Sequence, residues 1–406
     1  MRFASTSVLL AAVAAASSAR AADLGTVFVI AMENHNWTQP STDTSAPGQI
    51  KGNAAAPYIN SLITPGNPNA AQVSYASNYL NAANGEHPSE PNYVWAEAGT
   101  NYNAETNFTI NNDNDPTDAN KNVFHNTNHL TAQMNAAGVS WKNYQEDYQI
   151  TNSSTPTGGN VLVSKSGTST SVTNPYYNTN QYNYAAKHDP MAFFSDTATQ
   201  NVATFDSLRS DIAANTVSVS NPTATNNFGQ YNWITPNQYN DMHSSLAGGF
   251  TYNGTHFTGD QSAIATGDNF LSILIPQLMA TEAYKNNGAI VIWMDETEGS
   301  NRDDTNHTLM EIVISPLAKG NAYVSTIEYN HSSDIKTMEE IFQLGGTLNN
   351  ALPPTEAYLG LTSNTVAGAN DLSDLFLPGT IPTAVPEPAS LGLLSLGGLL
   401  LLKRRR

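Results

Sequence analysis

The 406-residue chain has no cysteine, and only 12% of it is charged. Without cysteine there can be no disulfides, thiol catalysis or cysteine-ligated zinc, so stability rests on a packed core and on cations held by other ligands. The shortage of charge implies a surface that is polar through Asn, Ser and Thr rather than through ions. Basic residues are scarcest: 16 Lys and Arg stand against 34 Asp and Glu, a net charge of −18. A nucleic-acid partner needs a basic footprint, and the chain has none. Internal repeats are also absent, although the length is ample for one large or two ordinary domains.

The two ends differ from the body. Arg2, an apolar stretch over residues 8–16 and the small-x-small sequence Ala19-Arg-Ala21 have the layout of a secretory signal peptide, residues 1–21. At the other end Pro386-Glu-Pro388 precedes an apolar run over 391–402 and the cluster Lys403-Arg-Arg-Arg406. That run is short for a membrane span, and the basic cluster reads as a stop on the inner face. Residues 386–406 resemble the PEP-CTERM sorting tail of Gram-negative bacteria in all three parts. The resemblance implies export to the periplasm, the outer surface or the extracellular matrix, and an exosortase-type processing partner. Without leader and tail, ten basic residues face 33 acidic ones, a net charge of −23.

Within the body, Val27 to Met32 is an apolar run without polar alternation, the pattern of a strand covered on both faces. It stops at Glu33-Asn34. A second such run, Ala289 to Met294, follows Gly288 and stops at Asp295-Glu296; Met310 to Ser315 is a third. Further strands are expected at 73–80, 139–144 and 231–235. Helices are expected at 56–63, 91–98, 130–137, 270–285 and 337–344, with Gly138 ending the third. Strands alternating with helices argue one α/β domain with a mostly parallel sheet, residues 22–350. Polar stretches around 101–124 and 151–180 read as surface insertions, and 351–385 as a linker.

In open parallel sheets the ligand site lies beyond the carboxyl ends of the strands. Two strand tips ending in acids would repel each other there unless a cation sat between them. Glu86-His-Pro-Ser-Glu-Pro-Asn-Tyr93 fixes Ser89 between prolines ahead of a helix, where N–H groups favour an anion; the plain alternative is a helix cap. His243, after Asn240-Asp241, and His331, ahead of a helix, are further candidates for metal or phosphate contact. His87, His188, His125 and His129 carry less support, and His35, His256 and His307 read as surface or loop residues.

The order of these pieces is distinctive: Glu-Asn after the first strand, His-Pro-Ser-x-Pro-Asn-Tyr, Gly-Val-Ser-Trp-Lys-Asn-Tyr-Gln-Glu-Asp, Lys-His-Asp-Pro-Met-Ala-Phe-Phe, Trp-Ile-Thr-Pro-Asn with Asn-Asp-Met-His, Gly-Asp-Asn-Phe-Leu, a strand ending Asp-Glu, and His-Ser-Ser-x-x-Lys-Thr-x-Glu. From about residue 26 to 346 this series resembles the bacterial phosphoesterase family of acid phosphatases and phospholipases C, a branch of the alkaline-phosphatase superfamily. The resemblance implies a three-layer α/β/α sandwich, with Glu33, Asn34, Asp295 and Glu296 as metal ligands and Ser89 as both nucleophile and ligand. It also implies that Asp241, His243 and His331 contact phosphate or a second metal. Catalytic duty is accordingly expected of Ser89, His243 and His331, metal binding of Asp241 as well, and phosphate contact of His87 and His188. One or two divalent ions are expected: the oxygen set suits calcium, magnesium or manganese, and Asp241 with two His suits zinc. The implied substrate is a small phosphate ester or a phospholipid head group. A phosphomonoesterase is preferred, with a phospholipase C-type phosphodiesterase or a non-catalytic matrix-associated binding protein as alternatives.

Overall fold

The computed structural model describes residues 24–43, 48–81, 87–148, 173–174, 179–180, 184–298, 306–344, 358–359 and 369–382. The expected leader 1–21, the sorting tail 386–406, most of the insertion around 151–180 and part of the linker 351–385 lie outside the described residues.

Eight strands form the central sheet: β1 (Val27–Met32), β2 (Val73–Ala76), β3 (Trp141–Gln145), β4 (Val202–Thr204), β5 (Tyr231–Thr235), β6 (Ala289–Met294), β7 (Glu311–Ile314) and β8 (Tyr323–Ser325). Their order is β8-β2-β7-β6-β1-β5-β3-β4. Only β7 runs antiparallel to its neighbours. The parallel strands β6, β1, β5 and β3 therefore end at one edge.

Among the described residues seven α-helices accompany the sheet: α1 (Pro57–Leu62), α2 (Ser89–Ala98), α3 (Leu130–Ala137), α4 (Phe205–Asn215), α5 (Asp260–Met279), α6 (Glu282–Lys285) and α7 (His331–Phe342). Side chains alternate along a strand, so register decides which helices each residue meets. Val29 lies level with Trp233 and Val291, and Ala31 with Trp293. On that face the Trp233 and Trp293 rings meet at 5.4 Å, and both meet Tyr93 of α2. Tyr231 on the same face meets Phe342 of α7 at 6.4 Å. Phe28, one residue out of step, points the other way and meets Phe228 edge-on at 5.0 Å. On that side Phe205 of α4 stacks with Phe270 of α5. The result is the expected α/β/α sandwich with a mostly parallel sheet. All six residues of β1 and of β6 are buried, and each large aliphatic side chain removed from water contributes about 1.5–3 kcal/mol. No helix among the described residues is long and apolar enough to cross a membrane.

Several boundaries differ from expectation. Helix α5 starts at Asp260, ten residues early, because its first half buries small and polar residues such as Ser262, Thr266 and Asp268 that carry no apolar period. It stops at Met279, and α6 is a separate turn capped by Thr281. Helix α7 starts at His331 itself, set by a capping box between Asn330 and Ser333. The described part of the linker is docked on the core: Leu372, Leu375 and Phe376 are buried, and Tyr358 donates its hydroxyl proton to Glu340 at 2.7 Å. The insertion around 101–124 is likewise anchored, with Asn103, Ile110, Asn122 and Phe124 buried.

Candidate active site

Alternation continues past the strand ends. Glu33 follows Met32 and Asp295 follows Met294, so both carboxylates fall on the face that carries Trp293 and is covered by α2. The backbone fixes them there: Glu33 N donates to Asp241 O at 2.8 Å, and Asp295 N to Met32 O at 3.1 Å. Asn34 then turns the chain with a left-handed φ of 54° and donates its N–H to Asp295 Oδ1 at 2.8 Å. The Asn34 backbone thus ties the tips of β1 and β6 together.

Ser89 opens α2 and is buried. Its hydroxyl lies 3.1 Å from Glu33 Oε2 and 3.2 Å from Glu296 Oε1, so residues distant in sequence meet at one oxygen. Tyr93, one helical turn later, shares its face and stacks on the His188 ring at 5.1 Å. His188 Nε2 lies 3.1 Å from Glu33 Oε1 and Nδ1 lies 3.5 Å from Asp241 Oδ2. Neither approach has hydrogen-bond alignment, and Glu33 Oε1, Asp241 Oδ2, Asp295 Oδ2 and His188 Nε2 are all buried without a hydrogen-bond partner. His87 Nδ1 sits 2.6 Å from Glu296 Oε2.

The turn after β5 delivers Asp241 and His243. Asp241 Oδ1 accepts from His243 N at 2.7 Å, and Met242 between them has φ 86°, a costly conformation for a side-chain-bearing residue. Gly267 of α5 makes room for it, since a Cβ there would lie 2.2 Å from Met242 Cγ. Glu146, at the end of β3, braces the same turn by accepting from Asn237 N at 2.9 Å and Asn240 Nδ2 at 2.7 Å.

Burial together with mutual repulsion raises the proton affinity of these acids. Glu33 is pushed well above its ordinary value by burial and then by Asp295 and Asp241, and Asp241 by burial and then Asp295. Asp295 rises to about 7 through burial and the Glu296 charge. Burial, then the Lys187 charge, lowers His188 strongly and His243 to about 4. Lys187 moves upward, because the charges of Glu33 and Asp113 outweigh its burial.

Unpartnered buried carboxylate oxygens beside a hydroxyl fit a cation. Three groups among the described residues place their ligand atoms within 4.8 Å of one another: Glu33 with Asp295 and Glu296, Glu33 with His188 and His243, and His35 with Asp260 and Glu298. The first is a hard oxygen set; the second, with two imidazoles, suits zinc. His188, expected at the phosphate, thus joins a metal-capable group.

Other residues lie elsewhere. His331 Nε2 is 3.2 Å from Met294 O, and its ring packs on Trp293 and Tyr79 at 4.8 and 5.7 Å. It buttresses the tip of β6 from within an aromatic layer, and burial lowers it to about 4; none of its described contacts reaches Ser89. His35 and His307, expected at the surface, are buried and pair with Asp260 and Asp43. His129 is buried between Glu97 and Asp196, whereas His125 is an exposed partner of Asp118. Sequence reasoning left Lys187 without a role and passed over Glu146, although both stood inside quoted motifs.

The chain is 25% identical over 313 residues to a phosphatidylinositol-3-phosphatase of Mycobacterium tuberculosis, covering 76% of this chain and 78% of that one. Among solved structures, a protein of the alkaline phosphatase superfamily from Vibrio parahaemolyticus is similar at 7% identity and a TM-score of 0.45, over 79% of this chain and 67% of that one. A phosphonate monoester hydrolase of Agrobacterium radiobacter aligns at 10% identity and a TM-score of 0.43, over 86% and 77%. The model of the Phosphoesterase family matches residues 74–345, and the chain belongs to that family, whose members are hydrolases acting on phosphoric ester bonds.

Proposed function

We propose that the chain is an exported, metal-dependent phosphomonoesterase that works through a phosphoserine at Ser89. The observation that carries this reading is the Ser89 hydroxyl held 3.1 Å from Glu33 Oε2 and 3.2 Å from Glu296 Oε1 at the start of a ten-residue helix. A hydroxyl is an inert nucleophile until something takes up its proton. Glu33, Asp295 and Glu296 would hold a divalent ion, whose positive charge would depress a neighbouring hydroxyl's pKa. Glu33 Oε2 and Glu296 Oε1 orient the hydroxyl and stand ready for its proton. Ser89 Oγ then forms a bond to phosphorus while the ester P–O bond breaks, and the alcohol leaves carrying the proton that Ser89 gave up. Water next attacks phosphorus, its proton returning to Ser89 Oγ as the Oγ–P bond breaks, releasing phosphate. His243 is half-buried and neutral near pH 7, so it can donate to a phosphoryl oxygen without adding charge, and the Lys187 ammonium offsets charge from beside it. His331 holds the β6 tip on which Asp295 and Glu296 follow.

Polar residues docked on the first turn of α2, with Asp113 and Asn114 bonded to Glu90, support a monoester over a lipid diester, and the relative's name makes a phosphoinositide head group a reasonable member of the substrate class. A non-catalytic binding protein would be favoured had Ser89 and the acids lain apart. Hydrolysis of 4-nitrophenyl phosphate against 4-nitrophenyl phosphocholine, before and after chelation, tests the reading. Chelator-sensitive turnover of the monoester is expected; preferential turnover of the diester, or chelator-indifferent activity, would overturn it. Leader and tail processing is tested by comparing the mass of protein from cells with that of the encoded chain.

A further inference from the structure

His35 is buried and takes no part in the mechanism. Its Nδ1 lies 3.1 Å from Glu33 O. A carbonyl oxygen only accepts, so Nδ1 carries the ring proton, and Nε2 of the neutral ring is left with a lone pair. That lone pair faces two carboxylates, Asp260 Oδ1 at 3.1 Å and Glu298 Oε2 at 3.5 Å. Such atoms repel one another unless positive charge stands between them. A proton on Nε2 would serve only one of the two carboxylates, and Glu298 Oε2 and Asp260 Oδ2 are buried without a hydrogen-bond partner.

Each of the three side chains is held by contacts of its own. The Glu33 carbonyl orients the His35 ring through Nδ1, the arrangement that commonly aims a metal-binding imidazole. Asp260 is set by the start of the 20-residue helix α5. The buried Asn36 amide grips the Glu298 backbone, accepting from Glu298 N and donating to Glu298 O, both at 3.1 Å. The Asp260 and Glu298 side chains are 30% and 29% exposed, which gives a path from solvent and room for water to complete a coordination shell. The three side chains touch Glu33 only at its carbonyl oxygen, so the group shares no ligand with the acids around Ser89.

We propose that His35 Nε2, Asp260 and Glu298 bind a structural divalent ion, zinc by the chemistry of one imidazole with two carboxylates, separate from the site at Ser89. Two carboxylates and a neutral imidazole balance its charge. His35 lies just past Glu33, and Glu298 just past Glu296. The ion therefore clamps the segments leaving β1 and β6 to the start of α5 and steadies the tips that carry Glu33 and Glu296.

The test is the zinc content of the purified protein, measured by plasma mass spectrometry after chelator stripping and dialysis against zinc near neutral pH. Glu298→Gln and Asp260→Asn, isosteric changes at part-exposed positions, should each hold about one zinc per chain fewer than the parent. Isothermal titration should show that ion bound at least about tenfold more weakly in both. Circular dichroism checks the fold of each, and either variant alone decides. The same loss should appear when Glu298→Gln is added to Glu33→Gln, because Glu33 supplies no ligand to this ion. Zinc contents equal to the parent's would mean that a proton alone balances the cluster, and would overturn the proposal. So would a loss that vanishes in the Glu33→Gln background, which would assign the missing ion to the Ser89 site. The measurement counts metal rather than turnover, so its result is independent of whether Ser89 is the nucleophile.

Discussion

Replacing Glu97 near the end of α2 tests whether the buried polar framework behind Ser89 has been read correctly. Glu97 Oε1 accepts from Thr131 N at 2.7 Å and from the Thr131 hydroxyl, and it faces His129 Nδ1 at 2.8 Å. His129 Nε2 meets Asp196 Oδ1 at 2.8 Å, and its ring stacks on Phe194. Glu97→Ala strands a backbone N–H, a hydroxyl and an imidazole, all buried. At about 1–3 kcal/mol per stranded group, with the hydroxyl free to turn, the loss is roughly 3–5 kcal/mol, the range for breaking a buried ion pair from one side. Glu97→Gln keeps the acceptor oxygen and should lose roughly half as much. The pH dependence adds a signature. Burial acts to lower His129, but hydrogen bonds to Asp196 and Glu97 prevail and raise it to about 9. Because the folded value exceeds the unfolded one of about 6.5, this stabilisation is complete below pH 6.5 and disappears as pH rises through 9. The span corresponds to roughly 3 kcal/mol, nearer 2 once Asp196, its side chain 32% exposed, is discounted for screening. Urea unfolding at about pH 6 and about pH 10 should show this fall in the parent and a smaller one in Glu97→Gln. A Glu97→Ala loss under about 1 kcal/mol, or equal pH dependence in the parent and Glu97→Gln, would refute the reasoning.

Four further outcomes are expected. Gly267→Ala should push buried Met242 and disturb the Asp241–His243 turn, costing about 1–3 kcal/mol in urea unfolding and lowering kcat by about tenfold or more; an unchanged kcat would contradict this. Chelation should lower the melting temperature, because an ion present at 100 times its Kd adds about 2.7 kcal/mol, and calorimetry with and without chelator reads the shift. Glu33→Gln should weaken metal binding measured by isothermal titration, Glu33 being common to two of the three metal-capable groups. Trp95 Nε1 donates to Ser332 Oγ at 2.9 Å between α2 and α7; Trp95→Phe should cost about 1–2 kcal/mol by stranding or losing that bond, read by urea unfolding.

The strand tips were legible because buried parallel strands announce themselves as unbroken apolar runs, and β1 and β6 end where the apolar letters end. Ser89 was legible through its prolines, although the helix starts at Ser89 rather than after it. The first half of α5 was not legible: Gly267 and its small neighbours are shaped by the Met242 turn that packs on them, a tertiary cause with no local period. His35 and His307 read as surface residues because polar loops surround them in sequence, yet each is buried against a carboxylate from a remote segment. His331 misled in the opposite way. A histidine at a helix start in a quoted motif suggested contact with the reacting group, whereas its ring lies in the aromatic layer beneath the β6 tip. Docking of the insertion on Glu90 depends on partners more than 20 residues apart and left no spacing to read.

The account depends most on the identity of the nucleophile. Acid-quenching the enzyme during turnover of 4-nitrophenyl phosphate, followed by peptide mass spectrometry, should find a phosphoryl group on Ser89 and none in Ser89→Ala, which should be inactive but still bind metal. Turnover that never labels Ser89 and persists in Ser89→Ala would contradict the account.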